Sequence, residues 1–188
     1  MTAKKTTALI LVLGIWLGAS ILLLFIVGSS FPGVERAVVE NERLAERAGF
    51  GPGDPARKKT SVAWVVAGEL NRQYFSSWNA GQLILAVLAL VLASRLKQRR
   101  ALAGLCGAGL IVLVLAFWLA PELTSLGRSL DFVPREPPPP ALETFNSLHG
   151  IYTALELAKM VLIVLAVWFS FSSLKTPGSE GKSPQTAS

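Results

Sequence analysis

The sequence is poor in charge, cysteine and histidine. Charged residues make up 16% of the chain, against about 25% in soluble domains. The single cysteine, Cys106, excludes an intrachain disulfide framework and any CxxC zinc or redox motif. The single histidine, His149, excludes a bis-histidine haem or a multi-histidine metal site built within one chain. We therefore predict no metal site and no cofactor.

The motifs of the common catalytic classes are also missing. The sequence contains no nucleophile elbow, no phosphate-binding loop and no metal-ligand cluster. A lone histidine near a glutamate is too little for a nucleophilic or metal-dependent mechanism. We therefore predict no catalytic residue, and an enzyme is the least favoured function class.

Hydrophobic residues are abundant instead, at 52% of the chain. Four segments hold almost no charge: residues 6–34, 73–94, 101–121 and 144–174. The only charged residues within them are Glu156 and Lys159. A helix needs roughly 20 apolar residues to cross the hydrocarbon core, and the alternation that a membrane β-barrel requires is absent. The sequence predicts an all-α, polytopic membrane protein whose four transmembrane helices form a bundle in the lipid bilayer.

The spans are predicted at about residues 7–31, 74–94, 101–121 and 150–173. Pro32 and Gly33 are expected to end the first span, and Pro121 the third. The first apolar segment is much longer than the core of a signal peptide, about 7–15 residues, which favours an uncleaved anchor over a cleaved signal. One transmembrane domain, 1–174, is then followed by a disordered tail, 175–188.

The first loop, residues 32–73, has helical signals of its own. Residues 34–48 alternate in the sign of their charges, which is typical of a solvated helix. Glycines and prolines then interrupt the pattern. Thr60 or Ser61 is expected to cap a second helix that continues into the second span, where Trp78 belongs to the aromatic belt. The loop is interpreted either as a solvated connector or as an extramembrane surface for a partner.

The third loop contains four consecutive prolines, residues 137–140. Such a run predicts an extended polyproline-II segment, a stiff spacer that delivers the chain to the fourth span.

Lysine and arginine near the span ends predict the orientation. The short loop 95–100 is strongly basic, Lys4 and Lys5 precede the first span, and Lys175 follows the fourth. With these on the inside, both termini are cytoplasmic. The seven basic residues of the first loop oppose this orientation. The net charge of +6 is thus explained by topology and anionic headgroups, and no nucleic-acid partner is predicted.

The fourth span carries a polar face. Its members, His149, Tyr152, Glu156 and Lys159, fall within an arc of about 80° on a helix. A charge at the centre of a span costs roughly 2.5–3.5 kcal/mol, so this face must turn into the bundle or a wet cavity. Two interpretations stay open: a site for an ion, a proton or a small polar solute, or a structural ion pair between Glu156 and Lys159.

The second span offers a matching face. Asn79 and Gln82 precede a stripe of small residues, Ala86, Ala89 and Ala93. We expect hydrogen bonds from this face to the fourth span, with helix contact favoured over ligand contact.

Small residues at a spacing of four allow helices to approach closely. Gly14 and Gly18 form a GxxxG motif in the first span, and Gly104 and Gly107 belong to small-xxx-small pairs in the third. Packing within the chain is favoured over a homo-oligomer interface.

Three short motifs resemble the bacterial transmembrane-protein-205-like family, small four-span proteins with a domain of unknown function. They are residues 14–18 with Phe25 and Phe31, residues 66–70 with Tyr74 and Phe75, and residues 145–150. The resemblance covers about residues 8–172 and implies a four-span fold, a histidine at the start of the fourth span and a bacterial inner membrane. The long first loop and the four prolines depart from it, and it implies no catalytic residue.

Two function hypotheses follow from these observations. In the first, an integral membrane protein handles a small solute, ion or proton at a polar site of six residues: His149, Tyr152, Glu156 and Lys159, with Asn79 and Gln82 opposite. In the second, the chain is a non-catalytic subunit or scaffold that binds another membrane protein through its first loop and GxxxG face.

Overall fold

The protein is described by a computed structural model over residues 2–51, 55–134 and 137–175. Across these residues the chain is helical and has no β-strand. The helices are α1 (Thr2–Val39), α2 (Glu42–Arg47), α3 (Ala56–Arg95), α4 (Arg99–Val114), α5 (Ala120–Ser129) and α6 (Pro140–Lys175). A π-helical turn, Leu115–Leu119, joins α4 to α5 without a break. Within the described ranges, four helical segments are long and apolar enough to cross a membrane, which confirms the predicted all-α membrane bundle.

The four long helices form a ring. α1 packs against α3 and α6, and α4 packs against the same two helices, so α3 and α6 lie diagonally opposite. The main core combines large and small apolar side chains: Leu9, Leu13, Trp16, Ala86, Ala89, Ala93, Ala101, Leu105, Ala108, Val112, Ile163 and Ala166. These residues lie in the half of the bundle that contains the turn between α3 and α4. The predicted alanine stripe of the second span is therefore part of this core.

The outer surface of the ring is apolar. Phe25, Phe117 and Trp168 are 72%, 70% and 69% exposed. Water would disfavour so much exposed aromatic surface, whereas lipid chains solvate it. The bundle therefore suits contact with a lipid bilayer, as predicted.

The first helix does not end where the sequence predicts. α1 runs through Pro32 and Gly33 to Val39. Proline is tolerated inside membrane helices because nearby hydroxyls and small adjustments satisfy the freed backbone groups. Ser29 and Ser30, just before Pro32, donate to carbonyl oxygens one turn earlier.

The first loop is helical, but its helices differ from the predicted ones. Instead of one helix over 34–48, the end of α1 and the short α2 share this segment, and Asn41 Oδ1 caps α2 by accepting from Leu44 N at 3.1 Å. α3 begins at Ala56, so neither Thr60 nor Ser61 is its cap. Residues 52–54 lie outside the described ranges.

The end of α1 is tied to the beginning of α3. Thr60 Oγ1 and Trp64 Nε1 both donate to the carboxylate of Glu35, at 3.4 and 3.1 Å. The predicted cap residue Thr60 therefore serves as a contact between two helices.

Pro121 does not end the third span either. Proline clashes with the carbonyl of the residue four positions earlier, here Phe117. The π-helical turn at Leu115–Leu119 lies just before it, and such turns let a helix continue past a proline. The helical segment therefore continues to Ser129.

The proline run is only partly extended, because Pro140 begins α6. Proline suits the first turn of a helix, where its missing N–H has no partner to lose. The fourth helix therefore starts ten residues before the predicted span. Arg135, Glu136 and the predicted disordered tail beyond Lys175 lie outside the described residues.

Candidate functional site in the bundle interior

Lys159 lies at the centre of a buried polar network. Its Nζ donates to Glu156 Oε2 and to Gln82 Oε1, both at 2.6 Å. Gln82 Nε2 in turn donates to Asn79 Oδ1 at 2.9 Å. Lys159 and Gln82 are fully buried, and Glu156 and Asn79 nearly so. The network therefore links an ion pair on α6 to α3, and it contains the hydrogen bond expected between the second and fourth spans.

Aromatic side chains surround the ion pair. Lys159 Nζ lies 5.7 Å from the centroid of the Trp78 ring, within the range of a cation–π contact. Tyr152 lies one helical turn before Glu156, and its ring packs edge-on against Phe75 at a centroid distance of 5.3 Å. The ion pair is thus shielded by rings from both α3 and α6.

Three polar atoms of this region are unsatisfied. The Tyr152 hydroxyl, Glu156 Oε1 and Trp78 Nε1 are buried and have no hydrogen-bond partner among the described residues. Most buried polar side-chain atoms are paired, so each exception calls for an explanation. The network is therefore incomplete as a purely structural device.

A cavity of about 1130 Å³ lies beside the network, in the half of the bundle away from the α3–α4 turn. All four long helical segments line it, and the α3 wall runs from Gly68 to Leu83, about 22 Å along the helix axis. Asn79 and Tyr152 line it as well. The cavity therefore reaches the Lys159 network through Asn79.

Four charged residues, three of which line the cavity, meet at the end of the cavity away from Lys159. Arg72 Nη2 donates to both carboxylate oxygens of Asp131 at 3.0 Å, and its Nη1 donates to Glu69 Oε2 at 2.8 Å. Arg128 Nη2 lies 3.4 Å from Glu69 Oε1. Arg72 thus fastens the segment that follows α5 to the middle of α3.

The structure brings together five of the six predicted polar-site residues. Tyr152, Glu156 and Lys159 form the inner part of the α6 face, and Asn79 and Gln82 face them from α3. His149 is exposed and lies in the cavity wall, stacked on Phe145 at a centroid distance of 5.9 Å. Its imidazole has no hydrogen bond to the Lys159 network within the described part of the chain.

The predicted packing glycines divide into two groups. A Cβ added at Gly104 would lie 3.5 Å from Leu162 O, and one at Gly107 would lie 3.2 Å from Leu162 Cδ1. These two glycines therefore pack closely against α6, as predicted. A Cβ at Gly14 or Gly18 would meet nothing within 4 Å. The packing predicted for this pair within the chain is wrong, because the GxxxG face of α1 points away from the bundle.

Sequence reasoning missed two contributors to the site. The sequence pattern assigns Trp78 to an aromatic belt. Trp78 lies four residues before Gln82 and thus on the same helical face, and this spacing indicates a contact with the polar site. The pairing of Arg72 with Asp131 joins residues 59 positions apart. No local pattern predicts such a pair, because it depends on where α5 ends.

The arrangement offers polar and ionisable groups for binding and for proton exchange. No group of three or more potential metal ligands occurs within the described ranges. The interior offers a lysine–carboxylate pair, two amides, a phenol and, in the cavity wall, an imidazole. Such groups bind a polar group or exchange a proton with it.

Comparison of the chain with protein-family models, curated proteins and solved structures gave no match. The resemblance to the bacterial transmembrane-protein-205-like family therefore stays a prediction, and the function must be argued from the geometry of the site.

Proposed function

We propose that this membrane protein handles a small solute, which occupies the cavity and interacts at its deep end with the network of Asn79, Gln82, Lys159 and Glu156. The observation that carries the proposal is the continuity between the two features: Asn79 lines the cavity and is hydrogen-bonded to Gln82, which is hydrogen-bonded to Lys159. A solute that binds in the cavity thus interacts with the ion pair in the bundle interior through these hydrogen bonds.

The energetics of the ion pair support a role beyond packing. A buried ion pair is weak evidence for stability, because well-packed apolar residues of similar volume often serve as well or better. Intramembrane charges accordingly mark functional sites by default. Among the described residues the pair also leaves Glu156 Oε1 without a hydrogen-bond partner. A pair selected only for stability would be expected to satisfy both carboxylate oxygens.

Cysteine labelling tests whether the cavity is a wet binding site. Ser76 and Ser77 are neighbouring exposed serines, but only Ser76 lines the cavity. In a Cys106→Ala background, Ser76→Cys is expected to react with N-ethylmaleimide and Ser77→Cys to react far more slowly, because lipid suppresses the thiolate that reacts. Equal reaction at both positions would count against a water-accessible cavity.

A ligand screen then tests the role of the ion pair. The protein in nanodiscs is screened for small molecules that slow labelling of Ser76→Cys and raise the temperature of unfolding. Binding of such a molecule is expected to weaken in a Glu156→Gln, Lys159→Met double variant. If the double variant binds the molecule as tightly as the parent protein, the ion pair has no role in binding.

A second candidate function is that of a non-catalytic subunit in a larger membrane complex. The observation that favours it is the exposed GxxxG face, because a Cβ added at Gly14 or Gly18 would meet nothing within 4 Å among the described residues. Affinity purification from native membranes tests this function: a stable partner that is lost in a Gly14→Leu variant supports it.

We also propose that the chain lies in a bacterial inner membrane with both termini in the cytoplasm. The basic turn between α3 and α4, at Arg95, Lys97, Arg99 and Arg100, supports this orientation. The cavity then opens toward the outer side.

A further inference from the structure

We propose that the cavity takes an uncharged amphiphile, a molecule with an aromatic or aliphatic body and one hydroxyl or carbonyl group, which reaches it sideways from the lipid bilayer. This inference rests on the proposed solute site and adds the class of ligand and its route.

The walls of the cavity suit an apolar body. Four phenylalanines, one from each of the four walls, line it: Phe31, Phe75, Phe117 and Phe145. Ligand pockets for drug-sized molecules measure about 300–1,000 Å³, so a cavity of about 1130 Å³ is far larger than an ion or a proton site requires. Aromatic rings also bind flat apolar bodies by stacking or edge contacts.

The charges of the cavity are already compensated. The three charged residues that line it within the described ranges are Glu69, Arg72 and Arg128. Arg72 pairs with Glu69 and Asp131, and Arg128 pairs with Glu69. At the deep end, Lys159 pairs with Glu156. A charged ligand would lose hydration without gaining a free counter-charge, which favours an uncharged one.

The deep end offers a place for one polar group. Tyr152 lines the cavity, is only 4% exposed, and its hydroxyl is buried without a hydrogen-bond partner in the described part of the chain. A phenol both donates and accepts a hydrogen bond. It therefore matches a ligand hydroxyl or carbonyl without requiring charge on either side.

The cavity is open toward the surrounding lipid. From Ile21 to Val39 no residue of α1 is buried, although the other half of α1 contributes Leu9, Leu13 and Trp16 to the core. Phe31 and Phe117 both line the cavity and are 39% and 70% exposed. Side chains exposed on this apolar surface face lipid, so a membrane-soluble molecule reaches the cavity without crossing the aqueous phase.

Three radiolabelled probes with the same body and different head groups test the ligand class: naphthylmethanol, naphthoate and naphthylmethylammonium. Their saturable binding to the protein in nanodiscs is measured by flow dialysis, with protein-free nanodiscs as the partition control. We expect naphthylmethanol to bind at least tenfold more tightly than either charged probe. Tyr152→Phe, which keeps the ring against Phe75, should weaken its binding about three- to tenfold, the effect of one hydrogen bond.

Two tryptophan variants locate the binding. Ala80→Trp fills the cavity and should abolish binding of naphthylmethanol, whereas Leu88→Trp, on a lipid-facing position of the same helix outside the cavity, should leave it unchanged. If a charged probe binds more tightly than naphthylmethanol, and Ala80→Trp blocks that binding, the proposed class of ligand is wrong. The proposed solute site would still stand in that case. Failure of all three probes to bind saturably, with no molecule protecting Ser76→Cys, would overturn both proposals.

Discussion

Lys159 Nζ and Gln82 Oε1 lie 2.6 Å apart and join the two helices, α6 and α3, that are diagonally opposite in the bundle. The contact crosses the interior between the tightly packed half of the bundle and the half that holds the cavity. Both side chains are fully buried. This hydrogen bond therefore lies behind Asn79, which lines the cavity and accepts a hydrogen bond from Gln82.

Lys159→Met is expected to be strongly destabilising. The substitution leaves the carboxylate of Glu156 buried without a counter-charge, and breaking a buried pair in this way costs about 3–5 kcal/mol. Equilibrium unfolding of the protein in mixed detergent micelles measures the loss in free energy of unfolding.

The double variant Glu156→Gln, Lys159→Met serves as the matched control. It removes both charges, so most of the lost free energy should return. Equal destabilisation by the single and the double variant would mean that the charges do not stabilise each other in the bundle.

We expect the contribution of Arg72 to the free energy of unfolding to depend on the shape of its guanidinium group as well as on its charge. Its Nη2 donates to both carboxylate oxygens of Asp131, while its Nη1 donates to Glu69. Lysine has a single nitrogen, which cannot take the places of both Nη1 and Nη2. Arg72→Lys should therefore lower the free energy of unfolding by about 1.5 kcal/mol, at the low end for charged hydrogen bonds because the site is partly solvated.

Arg128→Lys is the matched control for this prediction. Arg128 is 62% exposed at its side chain and has one long contact of 3.4 Å, so its replacement should have almost no effect. A larger loss for Arg128→Lys than for Arg72→Lys would show that the pair of Arg128 with Glu69, and not that of Arg72 with Asp131, holds this end of α5 against α3.

The class of fold follows from the sequence because the cost of exposing backbone in lipid leaves few alternatives. Long charge-free segments must be helices, and burial of Glu156 and Lys159 follows from the same reasoning. The ends of the helices do not follow, because Pro32 and Pro121 act as breakers in water, whereas here α1 continues through Pro32 and a π-helical turn precedes Pro121. Local rules for proline therefore fail in this chain.

The site was predictable only where its residues share a helical face. Spacing alone groups Tyr152, Glu156 and Lys159, and polarity alone selects Gln82 as a partner. No such pattern predicts the cavity. It forms beside the second half of α1, Ile21 to Val39, where no residue is buried, and this depends on packing between distant segments. The sequence also does not predict which way Gly14 and Gly18 face. A GxxxG motif reads the same whether it faces another helix or lipid.

The two glycine pairs are expected to respond differently to a large side chain. Gly107→Leu introduces methyl groups where Leu162 is already 3.2 Å from an added Cβ, and such overpacking costs about 1–3 kcal/mol. Gly14→Leu points away from the bundle and should change the free energy of unfolding by less than about 0.5 kcal/mol. Unfolding of both variants at a protein concentration that keeps the chain monomeric measures the difference.

The same pair of variants separates packing from self-association. If α1 forms a dimer through its GxxxG face, Gly14→Leu should abolish the dimer in a crosslinking or single-molecule photobleaching assay while Gly107→Leu leaves it intact. Destabilisation of the monomer by Gly14→Leu would contradict the outward direction of this face.

A cysteine placed at Pro138 is expected to be reached only from the outer side. Positive charge near the span ends favours the basic α3–α4 turn as cytoplasmic, which places the loop before α6 outside. The seven basic residues of the first loop favour the opposite orientation, so a direct measurement is needed to distinguish the two.

Pro138→Cys and Arg99→Cys, each in a Cys106→Ala background, are treated in intact cells with a membrane-impermeant maleimide. Labelling of Pro138→Cys alone confirms the orientation, and labelling of Arg99→Cys alone reverses it. In a reversed chain the half of the bundle that holds the cavity would lie in the cytoplasmic leaflet, and the ligand would enter from the lipid of that leaflet.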